Sequence, residues 1–472
     1  MFHPDNRSRN KLLKTKEIMD LLGISRTTLW RLRREEGLPA LMVGGTYRFD
    51  RDEVLKWVKE SPGLYNALSD GDIDFCNSRL NLEEQAIVSF LRSQDWSFVD
   101  MDTSYLTHDF HPYPARFPPQ IPATLIEALS QKSAAVLDPF VGGGTTMVEA
   151  FRLGRKSIGV DINPIAVLVS KAKTQILDDT ELQEVEEICQ ALEGDLALTS
   201  GHSSLFSQIS PPRPSAIPLI PNINKWFAPH VQSELAICLG RIAQARSERV
   251  RTLLQVALSS IIVRVSYQDS ETRYVARTKD IPAGTVYRLL LAQLATMQRK
   301  LRVLQRYNGN PQPEVFVGDC RCLQDIPANA VDLIVTSPPY PNAYDYHLYH
   351  RHRLYWLGFD PKQVLANEIG SHLKYQYESG GIETFEADMA RCLGEMNRVL
   401  RPKCFLGLVI GDSVFKGSLV RNDQIVSKLA SKAGLRLVFS TRRGIHPIRR
   451  SVMAVARRAT TETVLIYRSD KK

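Results

Sequence analysis

The sequence predicts an α/β fold: a mostly parallel sheet of seven strands with helices on both faces, preceded by a small separate unit. Three observations predict it. Short apolar runs recur between residues 134 and 467, and helical patterns separate most of them; that alternation is what a parallel sheet with crossover helices produces. The first run is closed by a glycine-rich turn and the fourth by a pair of prolines. The chain has 472 residues, more than one ordinary core holds, so two or three domains are expected.

Composition excludes several classes. An apolar fraction of 43% and a charged fraction of 24% are those of a globular chain in water. The formal net charge of +9 suits a polyanionic partner. No run approaches the ~18 apolar residues of a membrane span. The start, Met1-Phe2-His3-Pro4-Asp5, lacks an apolar signal core. Cysteines at 76, 189, 238, 320, 322, 392 and 404 form no Cys-x-x-Cys, so neither a disulfide framework nor a metal site is expected. Cys320 and Cys322 read as plain buried thiols. A reducing cytoplasm is the simple location.

The first unit spans residues 1–62. Thr15 caps a short helix, Lys16 to Leu22, and Gly23-Ile24-Ser25 makes a tight turn. Ser25 is a good N-cap for a second helix, Arg26 to Glu35. Gly37-Leu38-Pro39 ends it. Leu41-Met42-Val43 and Tyr47-Arg48-Phe49 flank Gly44-Gly45 as a hairpin. Asp50 and Glu53 form a capping box for a third helix through Trp57. This is the winged helix-turn-helix order, and the segment resembles the excisionase family of DNA-binding domains, including its Gly-Leu-Pro-Ala and Tyr-Arg-Phe pieces. The resemblance implies that the helix 26–35 contacts DNA, through Arg26, Thr27, Thr28, Arg31 and Arg34.

Residues 63–106 read as a connector with one helix, Leu82 to Arg92. The main domain is expected over 107–472. Its strands follow in order: Ala134–Asp138, Ser157–Asp161, Val315–Asp319, Val331–Thr336, Cys404–Gly411, Leu435–Ser440 and Glu462–Tyr467. Between the second and third lies an insert, 175–310, mainly helical from Val231 onward.

The glycine turn reads Asp138-Pro139-Phe140-Val141-Gly142-Gly143-Gly144-Thr145-Thr146, then a helix. Glycine there lets a ligand approach the backbone. It is neither the dinucleotide Gly-x-Gly-x-x-Gly nor a Gly-Lys-Ser/Thr loop, so phosphate binding is not favoured. Asp161 closes the second strand, 23 residues after Asp138. A carboxylate at the end of the adjacent strand is placed to accept two ribose hydroxyls. Asp319, closing the third strand, is placed to accept from an adenine amine.

Thr336-Ser337-Pro338-Pro339-Tyr340 follows the apolar run Val331–Val335. Two prolines fix two φ angles and remove two backbone donors, so the nearby carbonyls are held in one direction. An aromatic face and oriented acceptors can grip a planar ring and its exocyclic amine, which is what chemistry on a nucleobase amine requires.

Together these pieces resemble class I S-adenosylmethionine-dependent methyltransferases, and more narrowly the DNA amino-methyltransferases that modify cytosine N4 or adenine N6. That family's first motif, His-Pro-Tyr-Pro-Ala-Lys-Phe, stands here as His111-Pro112-Tyr113-Pro114-Ala115-Arg116-Phe117. The resemblance covers about 107–175 and 310–470, with the cofactor motif first and the tetrad later. It implies a site that binds S-adenosylmethionine through Tyr113, Phe117, Asp138, Pro139, Phe140, Gly142, Gly144, Thr145, Asp161, Asn163 and Asp319. Ser337, Pro338, Pro339 and Tyr340 become the catalytic tetrad, in the form favoured by cytosine-N4 enzymes, and the insert a candidate for target recognition. Gly143 stands where serine is common, a departure expected to be tolerated.

The expected reaction holds the two amine hydrogens on Ser337 Oγ and the Pro338 carbonyl, favouring a pyramidal nitrogen. Tyr340 would stack on the base, and in-line positioning carries most of the catalysis. A base inside a duplex must be flipped out. No Pro-Cys dipeptide occurs, which removes the usual nucleophile of cytosine-C5 methylation. The rings at Tyr344, Tyr346, His347, Tyr349, His350 and His352 either shape the base pocket or form a structural cluster. Two further basic regions, Arg264–Lys279 with Arg273 and Arg277, and the late loop with Arg449 and Arg450, are expected to contact phosphates.

The expected protein is a bacterial or archaeal DNA methyltransferase acting on double-stranded DNA at cytosine N4, with adenine N6 the alternative. A cognate restriction endonuclease acting separately is a candidate partner. A transcription regulator with a secondary or inert methyltransferase domain is the reading of a different class. An RNA methyltransferase acting on a guanine amine is a third.

Overall fold

The structure is a computed structural model. It describes residues 12–22, 29–30, 32–33, 38–43, 46–51, 53–54, 57, 80–99, 101–199, 214–341, 345–371, 381–415, 418–444 and 461–471. The chain divides into two compact units, Met1–Ser89 with Val438–Thr441, and Phe90–Leu437 with Arg442–Lys472. The expected connector straddles this division, which falls inside the helix Leu82–Ser93.

In the first unit, β1 (Leu13–Lys14), β2 (Leu41–Val43) and β3 (Thr46–Phe49) form a three-stranded antiparallel sheet in the order β1-β3-β2. The helix Thr15–Leu22 begins one residue earlier than expected, where the Lys14 N–H donates to Glu17. Ile18, Leu29, Leu32, Leu38, Phe49 and Val54 make a small closed core. The Glu53 N–H donates to Asp50 Oδ1 at 3.1 Å, one half of the expected capping box. The Arg33 guanidinium lies 4.0 Å from the Tyr47 ring centroid, so this arginine of the expected recognition helix is engaged within its own unit. Arg26, Thr27, Thr28, Arg31 and Arg34 lie outside the described residues.

The second unit holds a seven-stranded sheet. In chain order its strands are β4 (Ala135–Asp138), β5 (Lys156–Asp161), β8 (Glu314–Val317), β9 (Val331–Thr336), β10 (Leu400–Gly411), β13 (Leu435–Gly444) and β14 (Thr461–Ser469). Two small hairpins stand apart from it, β6 (Gln268–Ser270) with β7 (Arg273–Ala276), and β11 (Ser413–Phe415) with β12 (Ser418–Val420). The spatial order is β13-β14-β10-β9-β4-β5-β8. Pairings β4–β5, β4–β9, β5–β8 and β9–β10 are parallel, and β10–β14 is antiparallel. The expected third strand ends at Val317, two residues short of Asp319, because Gly318 to Cys322 turn back on themselves through the bond from the Cys322 N–H to the Asp319 carbonyl.

One apolar cluster joins the sheet to the helices Ile382–Val399 and Asn422–Lys432, through Leu137, Ile334, Leu406, Leu393, Met396 and Val426 among others. A second cluster joins the helix Pro164–Thr174 to the insert. The insert is helical from Asp179, earlier than expected, with helices Asp179–Thr199, Pro229–Ala243, Glu248–Ile261 and Thr285–Leu304 packed as one layer on that core. It is part of the domain's own core and not an appended module. Cys320 is buried as expected, whereas Cys322 is exposed, because the turn at 318–322 directs it outward. No helix among the described residues is long and apolar enough to cross a membrane.

Candidate active site

The strand ends β4, β5 and β9 lie side by side in the middle of the sheet, where neighbouring connections diverge. In open parallel sheets such a crevice is where ligands bind. Here it is a cleft of about 880 Å³, open to solvent. Its floor is the glycine loop and the ends of β4 and β5. Its sides are Tyr113 to Phe117, Gly318 and Asp319, Ser337 and Pro339, and a segment around Val364 to Ile369.

The floor is built by local geometry. Gly142 and Gly144 have φ of +45° and +73°, the left-handed region that suits glycine. A Cβ on Gly144 would lie 2.7 Å from Ser170 Oγ and 3.0 Å from Ser170 Cα, so no side chain fits. Gly144 caps the helix Thr145–Arg152, whose first turn therefore opens onto the cleft. Asp161 Oδ2 accepts the Gly142 N–H and Oδ1 the Asn163 N–H, both at 2.9 Å. Asn163 caps the helix Pro164–Thr174 through its Oδ1, and its side-chain amide faces the Tyr113 hydroxyl. Asp138 accepts the Thr336 hydroxyl at 2.6 Å and the Phe140 N–H at 3.1 Å. Burial pushes both Asp138 and Asp161 up to about 6.

The glycine loop and the tetrad are tied together. Thr336, which precedes Ser337, is the donor to Asp138, and the Thr146 hydroxyl donates to the Val335 carbonyl at 3.2 Å. From below, the Lys173 ammonium donates to the carbonyls of Gly143 at 2.6 Å and His108 at 2.9 Å. Lys173 is fully buried, and burial pushes it well below the usual lysine range. Arg116 also donates to the His108 carbonyl. A Cβ on Gly143 would lie 2.5 Å from Arg116 Cδ, so the arginine stem occupies the space that a serine at 143 would need.

Of the expected cofactor residues, Tyr113, Phe117, Asp138, Pro139, Phe140, Gly142, Thr145, Asp161, Asn163 and Asp319 line this one cleft, and Gly144 lies within its loop without lining it. Asp319 is differently occupied than expected. Its carboxylate accepts Arg321 Nε at 3.0 Å, Arg321 Nη2 at 2.6 Å and the Arg321 N–H at 2.8 Å. Burial raises this carboxyl, but Arg321 outweighs it and holds it below the usual range. Within the tetrad, Ser337 and Pro339 line the cleft, while Pro338 and Tyr340 do not. The Tyr340 ring packs on Gly411, where a Cβ would lie 2.8 Å from its Cε2, and its hydroxyl donates to Glu462 at 3.2 Å. The close approach that Gly411 allows and the bond to Glu462 together fix the orientation of this ring.

Sequence reasoning missed the opposite wall. The helix Pro361–Asn367, capped by Asp360, and the residues after it contribute Val364, Asn367, Glu368 and Ile369. The available signal was Gly370 after Glu368-Ile369: with φ of +78°, it lies so close to the tetrad that a Cβ there would sit 3.0 Å from the Tyr340 carbonyl oxygen. Lys173 was missed too, although it falls on the apolar face Ala166–Val169–Ser170 of its helix. Of the ring-rich segment, Tyr346 lines the cleft and stacks on Tyr113 at 6.2 Å, while His350 and His352 are buried away from it. Tyr344 lies outside the described residues.

The expected DNA contacts outside the cleft are divided. Arg273 and Arg277 sit on the β6–β7 hairpin, with side chains 66% and 77% exposed, each near Asp269 at 3.4 and 3.7 Å. The hairpin is anchored by Tyr274 stacked on Trp226 at 4.5 Å and by Arg353, which bonds Ser259 and Glu271. Arg449 and Arg450 lie outside the described residues.

A seven-stranded sheet with one antiparallel strand near its edge, a glycine loop after its first strand and a carboxylate ending its second is the α/β architecture expected from the sequence. The comparisons with known proteins narrow it. Residues 26–172 match the model of a DNA methylase family of the N6/N4 type, a stretch that holds His111–Phe117, the glycine loop and Asp161. The chain is similar to the type II methyltransferase M.MvaI of Kocuria varians, 23% identical over 78% of this chain and 91% of that protein. It is also similar to the type II methyltransferase M.BsoBI of Geobacillus stearothermophilus, 26% identical over 54% of each. A solved structure of a DNA modification methylase from Thermus thermophilus, complexed with S-adenosylmethionine, matches at 21% identity over 33% of this chain and 53% of that one, with a TM-score of 0.22. The family match and the relatives support a DNA amino-methyltransferase dependent on S-adenosylmethionine.

Proposed function

We propose that the protein is a site-specific methyltransferase that moves a methyl group from S-adenosylmethionine to the N4 amine of cytosine in double-stranded DNA. The observation that carries this reading is the meeting of Ser337 with the Asp161 floor in one cleft. The cleft fits the donor: the glycine bed takes no Cβ at Gly144, and the Asp161 carboxylate stands on the cleft floor. Tyr113, Phe117 and the glycine loop would hold its methionine end, and Asp161 its ribose. Bound there, S-adenosylmethionine supplies an electrophilic methyl group.

The chain's own residues do the rest. Ser337 Oγ and the Pro338 carbonyl accept the two amine hydrogens and draw the nitrogen out of conjugation, a geometry nearer the transition state than the ground state. Thr336 and Asp138 fix the height of Ser337 over the floor, so amine and methyl meet in line. The N-terminal unit is proposed as a winged helix-turn-helix that binds DNA, and the basic hairpin as a phosphate-binding element.

Serine at the head of the tetrad supports cytosine N4. Nucleoside analysis of DNA from cells expressing the protein should therefore contain N4-methylcytosine. N6-methyladenine alone would overturn the choice of base and leave the cofactor site standing. 5-Methylcytosine would overturn the mechanism.

A further inference from the structure

Glu368 is 3% exposed and yet lines the cleft with Ser337 and Pro339. It is fastened to the segment that follows the tetrad. The Tyr346 N–H donates to its Oε1 at 2.6 Å, and His347 Nδ1 lies 2.5 Å from its Oε2. Ser371 adds a second tie between the same segments, donating to Asp345 at 2.7 Å. The loop is pressed against the tetrad at Gly370.

Four carboxylates line the cleft, and their partners differ. Asp138 accepts from a hydroxyl and an N–H, and Asp161 from two N–H groups. Asp319 is locked to Arg321, a guanidinium that keeps its proton at any working pH. Among the described residues, Glu368 alone of the four bonds a histidine, a side chain that can both take and give a proton.

We propose that Glu368 takes the proton that the target amine loses on methylation, with His347 behind it as that proton's exit. The proposal rests on the methyltransferase reading above. The amine lone pair forms the new nitrogen–carbon bond; the carbon–sulfur bond breaks and its electron pair stays on sulfur. The methylated amine then carries a positive charge and a surplus proton. Glu368 accepts that proton, and the N–H electron pair returns to the nitrogen and the ring. A sulfonium and a carboxylate become a neutral thioether and a neutral acid, so the cleft gains no net charge. Ser337 and Pro338 can hold the amine, but neither oxygen is basic enough to keep its proton.

The surroundings suit a proton acceptor. The groups facing Glu368 are His347 and Asp345 after the tetrad, Asp161 at the end of β5, and Tyr113 on the near side. Burial raises the Glu368 carboxyl, Asp345 adds to the rise, and His347 opposes it. A base tuned towards neutrality transfers protons more effectively than an ordinary surface carboxylate.

The test is single-turnover methyl transfer by the full-length protein across pH, on duplex DNA that the wild type methylates, with Glu368→Gln and Glu368→Asp. The wild-type rate should fall towards acid as the carboxylate becomes protonated. E368Q should be roughly 100-fold slower and lack that acid limb, while binding S-adenosylmethionine as the wild type does by calorimetry. E368D should keep the limb. Infrared difference spectra should show a carboxylic-acid band rising on methyl transfer in the wild type and absent in E368Q. A folded E368Q with the wild-type rate and profile overturns the proposal. So does joint loss of cofactor binding in E368Q and E368D, which would make Glu368 a structural group. If E368Q does not fold, an E368D profile without the acid limb overturns it. A wild type that methylates no DNA defeats the methyltransferase reading instead.

Discussion

The two sides of the cleft are built by different means. The floor is local: Asp161 is held by N–H groups of Gly142 and Asn163, and the glycine loop and the cap at Asn163 follow directly from β4 and β5. The far wall is assembled from a distance. Glu368 is held by Tyr346 and His347, and Arg321 spans Asp319, Asp388 and the Asn367 carbonyl. Two backbone donors leave part of the Asp161 carboxylate free for a ligand, whereas three N–H groups of Arg321 cover Asp319. Asp161 is therefore open to hydroxyl donors in a way that Asp319 is not.

The largest test of that contrast is Asp161→Ala beside Asp319→Ala. Removing Asp161 deletes a charged acceptor for two hydroxyls, at about 1.5–3 kcal/mol each. Calorimetry should show S-adenosylmethionine binding weakened by roughly 100-fold or more, since ~1.4 kcal/mol is tenfold. Removing Asp319 frees Arg321, which keeps Asp388 and the Asn367 carbonyl, and should weaken binding by less than about tenfold. Equal losses would mean that Asp319 serves the ligand directly.

A smaller effect follows from acidity. Burial raises Asp138 and Asp161 to about 6, above the ~3.9 of an unfolded aspartate. Such groups bind protons more tightly folded than unfolded. Their ionisation costs stability, fully above about 6 and not at all below about 4. Lowering the pH from 7.5 to 5 should thus relieve part of this cost in the free protein. Cofactor binding should move the other way, because ribose hydroxyls need an ionised acceptor. The rise in Tm on adding S-adenosylmethionine should be larger at pH 7.5 than at pH 5. A rise of equal size at both would sever Asp161 from the ribose.

This contrast also marks what the sequence could tell. The ends of β4, β5 and β9 and the glycine loop were legible because each is fixed by neighbours within a few residues. Val331–Thr336 was read to the residue, since its apolar run stops at the prolines. The wall was not legible. Glu368 meets His347 across 21 residues, and Arg321 meets Asp388 across 67; no periodicity reports such pairs. The partners of Tyr340 were hidden for the same reason, its ring set by Gly411 and Glu462. The helical part of the insert was placed too late, at Val231, although Leu182, Val185, Cys189, Leu192 and Leu196 recur at helical spacing in Asp179–Thr199 and pack into the core.

The smallest expected effect separates two basic surfaces. Arg31→Ala with Arg34→Ala alters the expected recognition helix, and Arg273→Ala with Arg277→Ala alters the β6–β7 hairpin. Each phosphate that is no longer neutralised should flatten the dependence of log affinity on log salt by about 0.9. Arg273 and Arg277 already neighbour Asp269, but both arginines are mostly exposed, and such pairs are worth ~0–1 kcal/mol. Exchanging Asp269 for a phosphate therefore costs little, and the hairpin variant should flatten the slope by about one to two. Its methylated sequence should not change, because phosphates carry no sequence information. Relaxed specificity at one position would instead assign an arginine of the hairpin to a base edge, where a bidentate pair is worth about 1–3 kcal/mol of discrimination. An unchanged slope in the hairpin variant, with a flattened one in the helix variant, would leave the N-terminal unit as the main holder of the DNA backbone.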